Sequence, residues 1–156
     1  VFVRAVCTAT LGACEGALQA FIEIAKTRQV GPNKMKNDPY ARQLAAEVRA
    51  SIEEMKLTMV RNFDAMMESC RAGEPIPLDD RVRYRYDSAV VADRCLELSS
   101  RMLKAAGSGG IRQGSELLEF HLDMLASQAH VANHSTPFAN NMGGVMFGEE
   151  NVDYAI

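Results

Sequence analysis

The chain has 156 residues, 47% of them apolar, which suits one domain with a real core. Aromatics make up only 6%, Trp is absent and Met occurs nine times, a mix that favours aliphatic and thioether packing between helices over a β-sandwich. A formal charge of −3 and a pI near 5.6 leave no electrostatic footprint for nucleic acid. No uninterrupted apolar run is long enough to span a bilayer and no signal segment opens the chain, so the expectation is a soluble cytoplasmic protein.

The apolar pattern starts at once, with no capping residue before it. Val3, Cys7, Thr10, Cys14, Leu18, Phe21 and Ala25 follow in steps of three or four, which predicts a helix over 1–29. A period already running at Val1 reads as a cut point in a longer natural chain. Gly12 and Gly16 form a small-x-x-x-small patch, read as tight packing between helices. Val30-Gly31-Pro32-Asn33 is stop and loop chemistry. Asn37-Asp38-Pro39 restarts the chain as a helix, with Asp38 able to cap and Pro39 suited to the first helical position. The run Leu44, Val48, Ile52, Met55, Met59, Phe63, Met66, Cys70 carries this second helix over 39–72, until Gly73-Glu74-Pro75 ends it.

Asp79 or Asp80 can cap a third helix, over 79–106, which stops at Gly107-Ser108-Gly109-Gly110. Near its start Arg81, Arg83 and Arg85 cluster beside Tyr84 and Tyr86. Either they make a solvated helix start with salt bridges, or they meet an anionic ligand or another subunit. A fourth helix is predicted over 115–133, apolar on more than one side, and beyond Pro137 the tail to 156 shows no clear period. The reading is all-α: an up-down four-helix bundle in a single domain over 1–156. Cys7, Cys14, Cys70 and Cys95 form no C-x-x-C pair and read as buried, reduced thiols.

The fourth helix carries the candidate chemistry. Asp123, Ser127, His130 and His134 stand four, three and four residues apart, which on a helix makes one polar stripe. No His has Glu three residues before it, so a ferritin-like di-iron centre fails. His130 and His134 have zinc-helix spacing but enclose Val-Ala-Asn without the HExxH glutamate. Ser127 within a helix lacks the strained turn and oxyanion hole of a hydrolase nucleophile. Two readings stay open: general acid–base work by one histidine, or imidazoles held inside the fold by Asp123 or a backbone carbonyl.

At this point the chain resembles the C-terminal helical domain of the acyl-CoA dehydrogenase fold, and within it the flavin-dependent monooxygenase branch, the oxygenase components of two-component aromatic hydroxylases. The stretch LGACEGALQAFIEIAKTRQ is similar to the superfamily's opening bundle helix with its closing arginine. NDPYARQLAAEVRASIE looks like the branch's second helix, and AAGSGGIRQGSELLEFHLDMLASQAHVANH like its last. In that last helix Ser115, Leu117, Phe120, Asp123 and His130 match the branch pattern, with His seven residues after Asp. Leu122 departs from it, standing where the branch usually has Arg, and Glu116 stands where it has Pro.

The resemblance implies hydroxylation of an aromatic or related small molecule with dioxygen and reduced flavin, FMN or FAD, supplied by a separate reductase. His130 would be the catalytic residue facing flavin and substrate. Ser127 and Asp123 would line the cofactor, and Arg28 would contact its phosphate across a subunit interface. The implied partners are a flavin reductase, a small aromatic substrate and further copies of the chain in a dimer or tetramer, with no nucleic acid, membrane or metal. Two rivals stand beside this reading: an acyl-CoA dehydrogenase domain with a glutamate base, and a helical module that only assembles.

Overall fold

The computed structural model describes residues 2–156. Helix α1 (Phe2–Thr27) is followed by a two-stranded ladder in which β1 (Gln29–Val30) pairs antiparallel with β2 (Asn33–Lys34). Gly31 makes that reversal possible with φ +59, in the left-handed region glycine tolerates. A single 3-10 turn (Met35–Asn37) then pushes Met35 into the core. The sequence pattern shows only a loop here, because two residues per strand are too few to alternate.

Helix α2 (Pro39–Ala72) begins and ends as the sequence predicts. Asp38 accepts the Tyr40 N–H at 2.8 Å, and Pro39 occupies the first helical position without losing a backbone bond. At the far end Gly73 turns left-handed at φ 70, and the Gly73 and Glu74 N–H groups close onto Cys70 and Ser69 carbonyls. Leu44, Val48, Ile52, Met55 and Met59 are buried along one face. The helix is about 50 Å long at 1.5 Å per residue, and its burial thins toward the C-terminal end. Phe63 and Met66 are half-buried and Cys70 is exposed, which corrects the expectation of four buried thiols.

Helix α3 (Leu78–Ala106) starts at Pro77 with no side-chain cap; Asp79 and Asp80 lie inside its first turn, where they favour the positive end of the helix dipole. Asn62 on α2 donates to Asp87 on α3 at 2.7 Å, and Arg94 pairs with Glu54 at 3.1 Å, so polar contacts fix the register of these two helices. A 3-10 turn (Gly107–Gly109) leads by a loop to α4 (Glu116–Gln128), for which Ser115 is the cap residue without a side-chain cap bond.

α1, α2, α3 and α4 form the bundle, as expected. α1 is the central helix: it packs against α3 and α4 most extensively and against α2 on another side. Phe21, Leu18, Leu44, Ile52, Met102 and Leu117 are fully buried between them. Gly16 lets the Phe120 ring lie against the α1 backbone; a Cβ there would sit 2.4 Å from Phe120 Cζ. Gly12 has open space instead, so only half of the small-residue patch is a helix contact. By length and composition alone Ala5–Thr27 is apolar enough to cross a bilayer, contrary to the sequence expectation. In this fold its Cys7, Leu11, Cys14, Leu18 and Phe21 side chains are taken up by the core.

The last quarter departs from the prediction. α4 stops at Gln128 rather than near 133; a 3-10 turn (Val131–Asn133) follows, and the tail contains a further helix, α5 (Ser135–Met146), packed on α3. A helix running through Pro137 would lose a backbone donor and crowd the ring against the carbonyl four residues earlier. Placed in the first turn of a new helix, Pro137 has neither cost.

Candidate functional site

The break between α4 and α5 makes an elbow at 129–134, and the residues singled out in the sequence meet there only in part. His130 is extended (φ −70, ψ 134) and exposed, and its Nδ1 accepts the Ala132 N–H at 3.1 Å. The imidazole thus serves as the N-cap of the 3-10 turn, the task more often given to Asn, Asp or Ser. His134 is exposed at the start of α5 and makes no cap bond. The predicted stripe of Asp123, Ser127, His130 and His134 on one helix is therefore corrected: the helix ends before either histidine.

Ser127, on the last turn of α4, is half-buried and fully engaged. Thr10 Oγ1 on α1 donates to the Val6 carbonyl at 3.3 Å, so the short Thr10–Ser127 contact takes the Ser127 proton. Asn133 Nδ2 donates both to Ser127 Oγ at 3.0 Å and to the Ser127 carbonyl at 2.9 Å. The second bond joins the His130 N–H, which reaches the same carbonyl at 3.1 Å. Asp123 is exposed and, among the described residues, has neither a hydrogen bond nor an ion pair. It does not pair with Ser127, whose partners are Thr10 and Asn133.

Two residues not singled out as site residues hold the elbow. Asp93 on α3 accepts Gln128 Nε2 at 2.7 Å through one oxygen and the Ser135 hydroxyl through the other, joining the end of α4 to the start of α5. Arg85, also on α3, donates from a terminal nitrogen to the Ala132 carbonyl at 2.9 Å. Its guanidinium carbon lies 3.3 Å from the centroid of the Phe138 ring, and its Nε is 3.6 Å from Asp153 Oδ2, an electrostatic contact rather than a hydrogen bond. Burial pulls the Arg85 guanidinium below its ordinary range, and the Asp153 carboxylate opposes that shift. Of the basic cluster read from the sequence, Arg83 does make a helix-start salt bridge, to Asp80 at 2.6 Å, whereas Arg85 is turned inward. Its inward turn has no local signal in the sequence, because its partners lie 47 and more residues away.

Arg28 ends α1 and stands apart from the elbow. One of its terminal nitrogens is buried without a hydrogen-bond partner among the described residues. Its guanidinium lies against Gly107 (φ +58), where an added Cβ would be 2.8 Å from it. Next to this turn, Glu23, Ile24, Arg112, Gln113, Ser115 and neighbours line a cavity of about 310 Å³ at the N-terminus of α4. No cluster of His, Cys, Asp or Glu suited to a metal occurs among the described residues.

Comparison with known proteins places these features in a family. The sequence profile described as "Acyl-CoA dehydrogenase, C-terminal domain" matches residues 5–135. The chain is 26% identical over 131 residues to a pigment production hydroxylase of Rhodococcus erythropolis, covering 83% of this chain and 33% of that protein. It is 26% identical over 126 residues to the oxygenase subunit HsaA, a flavin-dependent monooxygenase, of Rhodococcus jostii (strain RHA1), covering 79% and 33%. The chain thus spans about a third of these curated relatives. Among solved structures, the HsaA monooxygenase from M. tuberculosis superposes with a TM-score of 0.87 at 22% identity, over 99% of this chain and 40% of that one. XiaF from Streptomyces sp., in complex with FADH2 and glycerol, superposes at 0.88 with 18% identity, over 97% and 39%. Butyryl-CoA dehydrogenase from Megasphaera elsdenii gives 0.70 at 17%, over 93% and 36%.

Proposed function

The chain belongs to the acyl-CoA dehydrogenase C-terminal-domain family, and from that premise we propose that it is the helical C-terminal part of a flavin-dependent monooxygenase. The substrate class is an aromatic or related small molecule, hydroxylated with dioxygen and with reduced flavin, FMN or FAD, delivered by a separate reductase. The observation that carries this reading is His130. It matches the histidine of the monooxygenase branch, and the fold exposes it on an elbow braced from α1 and α3 instead of packing it into the core. That arrangement argues against the alternative of a merely buried imidazole.

The residues present fit the cofactor's anionic end. Arg28 has a buried, unpartnered nitrogen, and Gly107 leaves room where any side chain would collide with the guanidinium. A guanidinium fork matches phosphate oxygens, and the N-terminus of α4 beside the adjoining cavity adds favourable backbone dipoles. Arg28 would hold the flavin phosphate, Asp123 would lie at the cofactor's edge, and Ser127 would act through the elbow. Bound reduced flavin would supply the activation of dioxygen. His130 would orient the reacting oxygen and hold a proton beside it. The acyl-CoA dehydrogenase alternative gains no support from the site, since no glutamate stands at the elbow.

The experiment is hydroxylation by the intact oxygenase carrying His130→Asn. Asparagine accepts the Ala132 N–H as the imidazole does, so the turn survives while the ring is lost. Product formation should fall by about a hundredfold or more, and unchanged turnover would remove His130 from the mechanism.

A further inference from the structure

The His130 turn fixes more than the position of a ring. A backbone N–H can only donate, so the Ala132 bond at 3.1 Å requires a lone pair on His130 Nδ1. The neutral imidazole therefore carries its proton on Nε2, the nitrogen left without a partner among the described residues. In that tautomer Nε2 is a donor. The one nitrogen able to take a proton is Nδ1, and the peptide chain covers it.

What keeps Ala132 in place is Arg85. The Ala132 carbonyl accepts from its guanidinium at 2.9 Å, the Asn133 N–H closes onto the His130 carbonyl at 2.8 Å, and the Asn133 side chain is tied to Ser127. The guanidinium itself has no freedom. The Phe138 ring stacks on it at 3.3 Å, Asp153 faces it at 3.6 Å, and the Arg85 and Asp153 side chains are only 9% and 8% exposed. Asp153 is held in turn by its own segment: Asn151 Nδ2 donates to the Asp153 carbonyl at 2.9 Å, and Asn141 on α5 donates to Asn151 Oδ1 at 2.8 Å. A buried cation thus connects the C-terminal segment to the peptide unit that sets the histidine tautomer.

We propose that Arg85 is a positioning residue that holds His130 as an Nε2–H hydrogen-bond donor. The inference rests on the oxygenase reading for its purpose, and it deepens that reading: His130 presents a proton to an electron-rich oxygen of substrate or cofactor and does not abstract one. The role of proton acceptor, which the family resemblance allows, would require the Ala132 bond to break first.

The test reads the ring directly. With ¹⁵N-labelled histidine, at a pH alkaline enough to keep an ordinary imidazole neutral, His130 should show an unprotonated Nδ1 and a protonated Nε2. A protonated Nδ1 in the wild type would overturn the proposal, whatever the activity. In Arg85→Met combined with Asp153→Asn, which leaves no buried charge without its partner, the two tautomers should mix. Arg85→Lys, which keeps a charged donor, should restore the single form. A double variant that keeps the unmixed wild-type tautomer would also overturn it. If the double variant does not fold, the wild-type and Arg85→Lys spectra still decide. In the intact oxygenase the double variant should lose about tenfold or more in kcat while KM for the ring substrate stays within about twofold, as expected for a misoriented donor. A protonated Nδ1 in the wild type, or an unmixed tautomer in the double variant, together with an inactive His130→Asn would sink the positioning role and spare the oxygenase. The pattern as expected with a fully active His130→Asn would do the reverse.

Discussion

His121 shows what one partly buried side chain does at the α3–α4 contact. Its Nδ1 lies 2.8 Å from Ser99 Oγ, and the Ser99 hydroxyl also reaches the Leu96 carbonyl at 2.9 Å. With the Ser99 proton on that carbonyl, the imidazole donates to Ser99 Oγ. Burial holds its pKa below the ordinary histidine range. The unfolded chain then binds a proton, at a pH near about 6.5, that the folded chain refuses. This contribution to stability is full above the unfolded pKa and is lost as pH falls from there toward the folded value. The melting temperature should therefore drop between about pH 7 and pH 5, and His121→Gln should flatten that part of the profile; a His121→Gln profile with the same slope would assign the effect elsewhere. Single residues were legible in the sequence where their role is local. Asp38 and Gly73 cap α2 as their types predict. The inward turn of Arg85 is not legible, because its burial by Phe138 and Asp153 is a property of segments that come together only in the fold.

Between elements, the informative joint is α4 to α5. The threes and fours of Asp123, Ser127, His130 and His134 continue straight through the break, so periodicity alone cannot see it. What stops the helix is competition for backbone groups. His130 and Asn133 bond to nearby N–H and C=O groups in a non-helical arrangement, the same tendency that lowers the helix propensity of short polar side chains. Pro137 marked the region but not the residue. Asp93 then binds both sides of the joint, through Gln128 and Ser135. Asp93→Ala should cost about 1–3 kcal/mol, as expected for removing a charged acceptor from two donors. It should also speed amide exchange at 129–134 more than in α2; uniform exchange across all helices would show that Asp93 only adds global stability. The long helices were legible from their apolar period and their Gly and Pro stops, with a matching cap only at α2, and the elbow was not because the period runs straight through it.

Over the whole molecule, large apolar side chains remain at the surface. Leu57, Val60 and Met67 are exposed on α2, and Leu122 and Leu125 on α4, with Leu57 at 69% and Val60 at 56%. Thr8, Leu11, Gly12, Met59, Val60 and Phe63 line an apolar hollow of about 410 Å³ between α1 and α2. Apolar surface of this kind is a liability for a monomer, and the chain spans a third of its curated relatives. Light scattering on this chain should give a mass of two or more copies, and a stable monomer would mean that these faces await other parts of a longer protein. The bundle and the family were readable from the sequence as a whole. The geometry of the candidate site was not, since it depends on Arg28 meeting Gly107 and on an elbow held from α1 and α3.

The central position of α1 also sets an order of events during synthesis. α1 meets Thr10's partner Ser127 only 117 residues later, and Gly16 waits for the Phe120 ring on the same later helix. Until α4 emerges, the most apolar helix of the chain has α2 and α3 to lean on but lacks one wall. Contacts that distant close slowly, and the unfinished form exposes a surface that associates with itself. Folding of the bundle is therefore committed only once α4 has emerged, by the same short helix that leads into His130.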